Sequence, residues 1–279
     1  MKKGRILIFQ KTIWEFYRKN KRDFPWRQTT DPYKILVSEV MLQQTQTDRV
    51  VRYYHTWLRR FPTIESLAKA SFKQIYPCWM GLGYNRRAMA LQKAAQKAIS
   101  EYHGTLPKDV KLLEEFPGIG PYTAKAISSF AYNIPTACIE TNIRRVFIHE
   151  FFPLRRTSGQ ARKITDERIL KIAEQVIDRN NPREWNWALM DYGAYLKNQI
   201  ENPNRRHKNY TVQSKFEGSL RQIRGAMLRI LSAKPTTQKE LLEKINKLTL
   251  QHPDRIKKVI VDLEKEHLII CNRSLYSLN

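Results

Sequence analysis

Cysteine, acid and long apolar runs are what this sequence is short of. Its three cysteines, Cys78, Cys138 and Cys271, stand far apart and form neither a disulfide framework nor a paired metal-binding spacing. They read as buried or incidental thiols in a reducing compartment. No stretch reaches the roughly 18 apolar residues that a membrane-spanning helix needs, so no membrane partner is expected. The early apolar run Ile6-Leu7-Ile8-Phe9 is too short for a signal-peptide core, and no small-residue cleavage site follows it. A cytoplasmic protein, nucleoid-associated if prokaryotic, is the expectation. Acid is scarce: 26 Asp+Glu stand against 50 Lys+Arg in 279 residues, a formal net charge of +24. That balance points to a polyanion, nucleic acid first, with a ribosomal or membrane-surface role as the alternative. Charge alone says nothing about chemistry.

What is present is helical. Hydrophobic residues at 42% and aromatics at 11% exclude a disordered chain and suffice for a sizeable core. Ile6, Phe9, Ile13, Phe16 and Tyr17 recur at three- and four-residue steps and predict an N-terminal amphipathic helix, broken at Asp23-Phe24-Pro25-Trp26-Arg27. A second helix is expected after Pro32, and a third through Val50, Val51, Tyr54, Trp57 and Leu58. Ser71 with Gln74 reads as a capping box opening another. Helical spacing continues at 87–103, 109–115, 121–132, 142–151, 165–179 and 183–198, and no alternating run before residue 200 predicts a sheet. The polar, basic stretch from Asn202 to Asn209 then reads as a linker. Beyond it, helices near 217–232, 237–248 and 253–266 precede two short apolar runs, His267 to Cys271 and Ser274 to Leu278. That order predicts a winged helix-turn-helix with Arg255, Lys257 and Lys258 on its recognition helix, or a protein-binding module of the same fold.

The most informative short motif is Leu113-Glu114-Glu115-Phe116-Pro117-Gly118-Ile119-Gly120-Pro121-Tyr122-Thr123-Ala124. Gly118 and Gly120 permit positive φ and leave their amides uncovered, and Pro121 suits the first turn of a helix. A hairpin whose N–H groups point outward, followed by a helix N-terminus, holds a phosphate without a charged side chain. Gly118, Ile119, Gly120 and Thr123 are therefore DNA-backbone candidates; a bare tight turn is the alternative.

These pieces occur in company. Phe24-Pro25-Trp26-Arg27, Asp31-Pro32-Tyr33, Ser38-Glu39-Val40-Met41-Leu42-Gln43-Gln44-Thr45-Gln46, Gly81-Leu82-Gly83-Tyr84, the hairpin and Asn186-Trp187-Ala188-Leu189-Met190-Asp191-Tyr192-Gly193-Ala194 come in an order and spacing that resembles the adenine DNA glycosylase (MutY) family of helix-hairpin-helix glycosylases. The resemblance covers about residues 10–197. It implies an all-α, two-lobed fold: residues 1–28 and 138–200 in one helical lobe, and 29–137 in a helical barrel lobe carrying the hairpin. A linker at 201–216 and the winged helix at 217–279 follow.

Carried over residue by residue, Glu39 matches the family's general acid/base. The chemistry explains the need: adenine is a poor leaving group as an anion, and a carboxylic acid in a desolvated pocket keeps a proton near neutral pH. Such assistance is worth about 10²–10⁴-fold. A second carboxylate stabilises the cationic sugar. The family has aspartate there; this chain has Glu140, in Cys138-Ile139-Glu140-Thr141-Asn142. A misplacement of about 1 Å can cost roughly 10²-fold, so either the pocket is rebuilt around the longer side chain, or the substrate differs, or catalysis is impaired. A rebuilt pocket is favoured, with Asn142 orienting Glu140 or a water. Tyr122 occupies the position where strand-nicking relatives carry a nucleophilic lysine, which implies hydrolysis without lyase activity. Gln43, Gln44 and Tyr84 match residues that enter the duplex when a base is flipped out; Arg86 and Arg144 complete the DNA-binding candidates.

Two absences close the reading. Most of the family holds a four-cysteine iron–sulfur cluster after the late helix, but Leu196 through Lys215 contain no cysteine, so no cluster and no metal are expected. Arg205-Arg206-His207-Lys208 is the candidate substitute phosphate contact. The family's C-terminal hydrolase-like domain, which helps recognise 8-oxoguanine, is not expected here; the predicted winged helix stands in its place. The resulting expectation is a monomeric, monofunctional DNA glycosylase in base excision repair, removing a mispaired or damaged base from double-stranded DNA. Adenine opposite G or 8-oxoguanine is the first choice. A thymine, uracil or other modified-base mismatch glycosylase, and a catalytically silent DNA-binding protein, are the alternatives.

Overall fold

The computed structural model describes residues 3–153, 164–249 and 252–279. In chain order its helices are α1 (Lys3–Asn20), α2 (Pro32–Leu42), α3 (Thr47–Arg60), α4 (Ile64–Ala68) and α5 (Phe72–Trp79). Next come α6 (Arg86–Tyr102), α7 (Val110–Glu114), α8 (Pro121–Tyr132), α9 (Thr141–Phe151), α10 (Asp166–Val176) and α11 (Pro182–Gln199). After it α12 (Leu220–Ala233), α13 (Gln238–Thr249) and α14 (Pro253–Lys265) join a sheet of β1 (Thr236–Thr237), β2 (Ile269–Asn272) and β3 (Leu275–Leu278). The described residues gather into two compact units, drawn from 1–39, 106–115 and 119–212, and from 40–105, 116–118 and 213–279.

In the first unit the apolar spacing of α1 turns Phe9, Ile13 and Tyr17 inward against α11. Phe9 meets Phe147 and Phe151 of α9 and Trp185 of α11 at centroid distances of 5.8, 4.9 and 5.9 Å. Each such ring contributes about 1.5–3 kcal/mol through burial. α9 and α11 pack closely because Gly193 has no side chain: a Cβ there would lie 2.2 Å from the Asn142 carbonyl oxygen. Thr165 caps α10 through the Arg168 amide, and the capping side chain of α9 is Glu140 itself.

In the second unit α3 to α6 pack on one another, and Ser71 and Gln74 form the expected capping box of α5. The sheet order is β1-β3-β2, all antiparallel, with Cys271 opposite Tyr276. Arg273 and Ser274 both take positive φ, 48° and 62°, which is what a two-residue hairpin turn between β2 and β3 requires. β1 was not expected; at two residues it is too short for alternation to show. α4 was likewise missed at five residues, although Thr63 and Ser66 cap it reciprocally. The C-terminal helices share their core with α5: Phe72 and Tyr76 lie in the same buried cluster as Ile223, Met227, Ile256 and Leu278. The Lys73 amide also donates to the carbonyl of the final residue, Asn279, at 2.9 Å.

Candidate active site and nucleic-acid interface

Glu39, Tyr122, Glu140 and Asn142 all fall in the first unit. Glu39 is buried, 5% exposed, and its carboxyl group accepts a hydrogen bond from the Tyr122 hydroxyl. Burial pushes Glu39 up to about 7; the Tyr122 bond and Arg27 oppose that rise, and the charge of Glu140 adds to it. A carboxyl at that value is half protonated at neutral pH. Tyr122, also desolvated and facing both acids, is held well above the usual phenol range and stays a donor. Cys138 borders the same group, its thiol pushed up by burial and by Glu39, so it is a neutral wall rather than a nucleophile.

Glu140 is placed differently. It is extended at φ −121°, ψ −177°, and its side chain folds back as the N-cap of α9. Oε1 accepts from the Asn142 amide at 2.7 Å and the Ile143 amide at 2.8 Å, and Oε2 accepts from the Asn142 side-chain amide at 3.3 Å. Burial raises this carboxyl too, but the two amides, Arg145 and Arg144 draw it back toward its charged form. The longer side chain thus makes the cap that an aspartate makes from one bond nearer. Behind it Arg145 donates to Asn142 Oδ1 at 2.8 Å and to the Gly193 carbonyl at 2.6 Å, so a buried guanidinium fixes the asparagine that fixes Glu140. Burial raises both acids beside Tyr122, and they differ in their partners: Glu39 accepts from the tyrosine hydroxyl, whereas Glu140 is tied to the α9 N-terminus.

Arg27 was read only as part of a motif. Its guanidinium meets Asp191, a carboxylate 2% exposed, through two 2.8 Å bonds, and Arg22 adds a third at 2.7 Å. This clamp joins the turn at Pro25–Arg27 to α11, and its charge reaches Glu39.

At the hairpin, Gly118 has φ 77°, and a Cβ there would strike Ala90. Gly120 departs from the expectation: φ is −90° and ψ 178°, an extended N-cap open to any residue by backbone, with nothing within 4 Å of a Cβ. It leaves space rather than supplying a left-handed turn. Ile119 and Thr123 are buried, 4% and 3% exposed, while Gly118 and Gly120 are both exposed.

Gln43, Gln44, Tyr84 and Arg86 fall in the second unit. Gln44 and Tyr84 are exposed and both left-handed, φ 57° and 49°. Sequence reasoning missed what holds them. Arg87 donates to the carbonyls of Val40, Met41 and Gln43 at 2.7, 3.2 and 2.6 Å, and to those of Leu82 and Gly83 at 3.3 and 3.1 Å. It ties the C-terminus of α2 to the Gly81–Tyr84 turn, and burial lowers it to about 10. Its neighbour Arg86 pairs with Glu266 of the C-terminal module, and Arg144 is engaged by Asp166 through bonds of 2.7 and 2.8 Å.

The donor set does not fit an iron–sulfur cluster. Cys138 sits beside Glu39, Cys78 and Cys271 belong to the second unit, and after α11 the chain is anchored by other means. Asn204 donates to the Thr141 carbonyl at 3.0 Å, Arg206 to that of Phe152 at 2.5 Å, and His207 is buried against Asp166. Of the basic residues expected there as phosphate contacts, Arg205 and Lys208 are exposed, while Arg206 and His207 turn to the protein. No group of three or more potential metal ligands occurs among the described residues, and none of their helices is long and apolar enough to cross a membrane.

Comparison with known proteins gives the family. Residues 37–175 match the family model described as HhH-GPD superfamily base excision DNA repair protein. An adenine DNA glycosylase of Homo sapiens is 34% identical over 200 residues, 68% of this chain and 36% of its own, so the chain spans little more than a third of that relative. One from Mycobacterium tuberculosis (strain ATCC 25618 / H37Rv) is 32% identical over 262 residues, covering 84% of this chain and 82% of the relative. Among solved structures, a thermostable thymine-DNA glycosylase superposes with a TM-score of 0.60 at 28% identity, over 68% of this chain and 87% of that one. An endonuclease III–DNA complex, at 18% identity and a TM-score of 0.59, shares the fold. The chain belongs to the HhH-GPD superfamily of base excision DNA repair proteins, in the branch of the adenine DNA glycosylases.

Proposed function

We propose that this protein is a monofunctional DNA glycosylase that removes adenine mispaired with G or 8-oxoguanine, acting as a monomer on double-stranded DNA. The observation that carries the reading is the pair of glutamates held in unlike environments around Tyr122. Glu39, at about 7, delivers its proton to a ring nitrogen of the extruded base, which then leaves neutral. Glu140, tied to the α9 N-terminus, lies against the sugar and stabilises the positive charge that develops there. The Glu39 carboxylate left behind takes a proton from water, whose oxygen closes the vacancy at the sugar carbon. No amine stands at Tyr122 to form a Schiff base, so the product is an intact strand with an abasic site.

Labelled duplexes carrying A·8-oxoG, A·G, T·G, U·G and hypoxanthine, incubated with the protein and then treated with alkali, test this. Cleavage of A·8-oxoG and A·G that requires alkali is the expected result. Cleavage before alkali reveals lyase activity and refutes the monofunctional reading. The likeness to a thymine-DNA glycosylase favours a second reading, excision at T·G, and the same panel distinguishes it. Tight binding with no cleavage of any duplex leaves only a DNA-binding scaffold.

A further inference from the structure

The stretch that the sequence marks as a linker reaches back to the candidate site. After α11 the chain turns tightly at Pro203–Arg206, and Asn202 Oδ1 accepts from the Asn204 amide at 3.1 Å. The Asn204 carbonyl accepts from the His207 amide at 2.9 Å. The buried His207 ring stands 3.2 Å from Asp166, the carboxylate that holds Arg144. Asn204 is thus fixed by its own backbone, and it is 5% exposed. Its Nδ2 donates to the Thr141 carbonyl at 3.0 Å, while its Oδ1 finds no hydrogen-bond partner among the described residues. A buried amide oxygen left unpaired is costly, and a leucine of similar volume would avoid the cost. What leucine cannot supply is the donor.

The peptide that receives this bond also serves Glu140. A trans peptide is a rigid plane whose C=O and N–H point in opposite directions. The Thr141 carbonyl and the Asn142 amide belong to one such plane, and that amide makes the 2.7 Å bond to Glu140 Oε1. A bond donated to the carbonyl aims the amide and draws electron density from it, strengthening it as a donor by roughly 10–30%. We infer that Asn204 is a positioning residue for Glu140, acting through the Thr141–Asn142 peptide to aim and polarise the amide that holds the carboxylate at the α9 N-terminus. What this does to excision rests on the glycosylase reading above; the chain of hydrogen bonds does not. The charged and titratable groups facing Glu140 are Arg144 and Arg145 of α9, Glu39 of α2, Tyr122 of α8 and Cys138, and the variants below leave all five in place. Since the Asn142 amide draws Glu140 toward its charged form, weakening that amide raises the pH at which the carboxyl takes up a proton.

The test uses the full chain, free of DNA, with isotope-labelled glutamate. NMR follows the Glu140 carboxyl carbon through a pH titration, and Glu140→Gln identifies its resonance. A backbone amide on a carboxylate is worth about one pH unit, so loss of the polarisation alone gives about 0.3 unit and loss of the bond about one. In Asn204→Leu and Asn204→Ala the Glu140 midpoint should therefore rise by about 0.3–1 unit. A midpoint unmoved or lowered in these variants overturns the inference, whatever they do to stability in urea. A second measurement needs no variant: in the wild type the Asn204 side-chain NH₂ resonance should move with the same midpoint as the Glu140 carboxyl. A resonance indifferent to that titration overturns the inference as well. On an A·8-oxoG duplex the variants should lose more excision at acid than at alkaline pH, relative to the wild type, because the sugar cation needs Glu140 charged. A chain that excises nothing yet shows the shifted titration refutes the glycosylase reading alone, and one that excises normally with the titration unmoved refutes this inference alone.

Discussion

Replacing Glu39 by glutamine should make the protein more stable, at a pH where it also becomes inactive. Glu39 is 5% exposed and its folded value is about 7 against an ordinary 4.5. Raising a carboxylate's pKa on folding favours its neutral form, so its contribution is complete below about pH 4.5 and is lost as pH rises through 7. A difference of about 2.5 pH units corresponds to roughly 3 kcal/mol, which the wild type gives up between those limits. Glutamine cannot ionise and still accepts from Tyr122. At pH 8 the variant should therefore exceed the wild type by up to about 3 kcal/mol, roughly 5–10 °C in melting temperature. At pH 4.5 the two should coincide. Thermal unfolding followed by circular dichroism at half-unit pH intervals reads the difference directly. A variant no more stable than wild type at pH 8, or a gain that does not change with pH, would refute the assignment of Glu39 as the desolvated acid.

Other consequences follow from the same geometry. Excision under single-turnover conditions should fall by about tenfold per pH unit above 7, as Glu39 loses its proton; a flat profile to pH 9 contradicts this. Because the Tyr122 hydroxyl holds Glu39 down, Tyr122→Phe should move that alkaline limb to higher pH, and movement to lower pH would reverse the assigned sign. Gly193→Ala forces a methyl group onto the Asn142 carbonyl, costing roughly 1–3 kcal/mol by urea unfolding. It should also slow excision disproportionately, since Asn142 orients Glu140. Arg87→Ala strands the carbonyls at the end of α2 and should cost roughly 2–4 kcal/mol, with weaker duplex binding. Arg87→Lys should recover less than half of either, because an ammonium cannot span both segments.

How much of this was legible beforehand depends on range. Periodicity located the long helices within a few residues because each buries a face that repeats along its own length, as Phe9, Ile13 and Tyr17 do. Elements of two to five residues, β1 and α4, leave no periodic trace. Glu39, Tyr122 and Glu140 were picked out through motif resemblance, and the structure adds what the sequence does not carry, that all three are desolvated and act on one another. Arg87, Arg145 and Gly193 were not singled out, for the opposite reason: each also has a partner more than 40 positions away along the chain, and nothing local separates Arg87 from Arg86. The bond from Gln213 to Tyr84 was equally invisible, since its two ends are 129 positions apart. Gly120 was misread because glycine serves both left-handed backbone and open space, and only coordinates separate the two.

The central claim is that Glu39 is the group whose proton cuts the glycosidic bond. Its most direct test is single-turnover release of free adenine from an A·8-oxoG duplex by the wild type and by Glu39→Gln, with duplex affinity measured in parallel. The account predicts release by the wild type, loss of at least about 10²-fold in the variant, and affinity unchanged within a few-fold. Release by the variant at a rate near that of the wild type would contradict it.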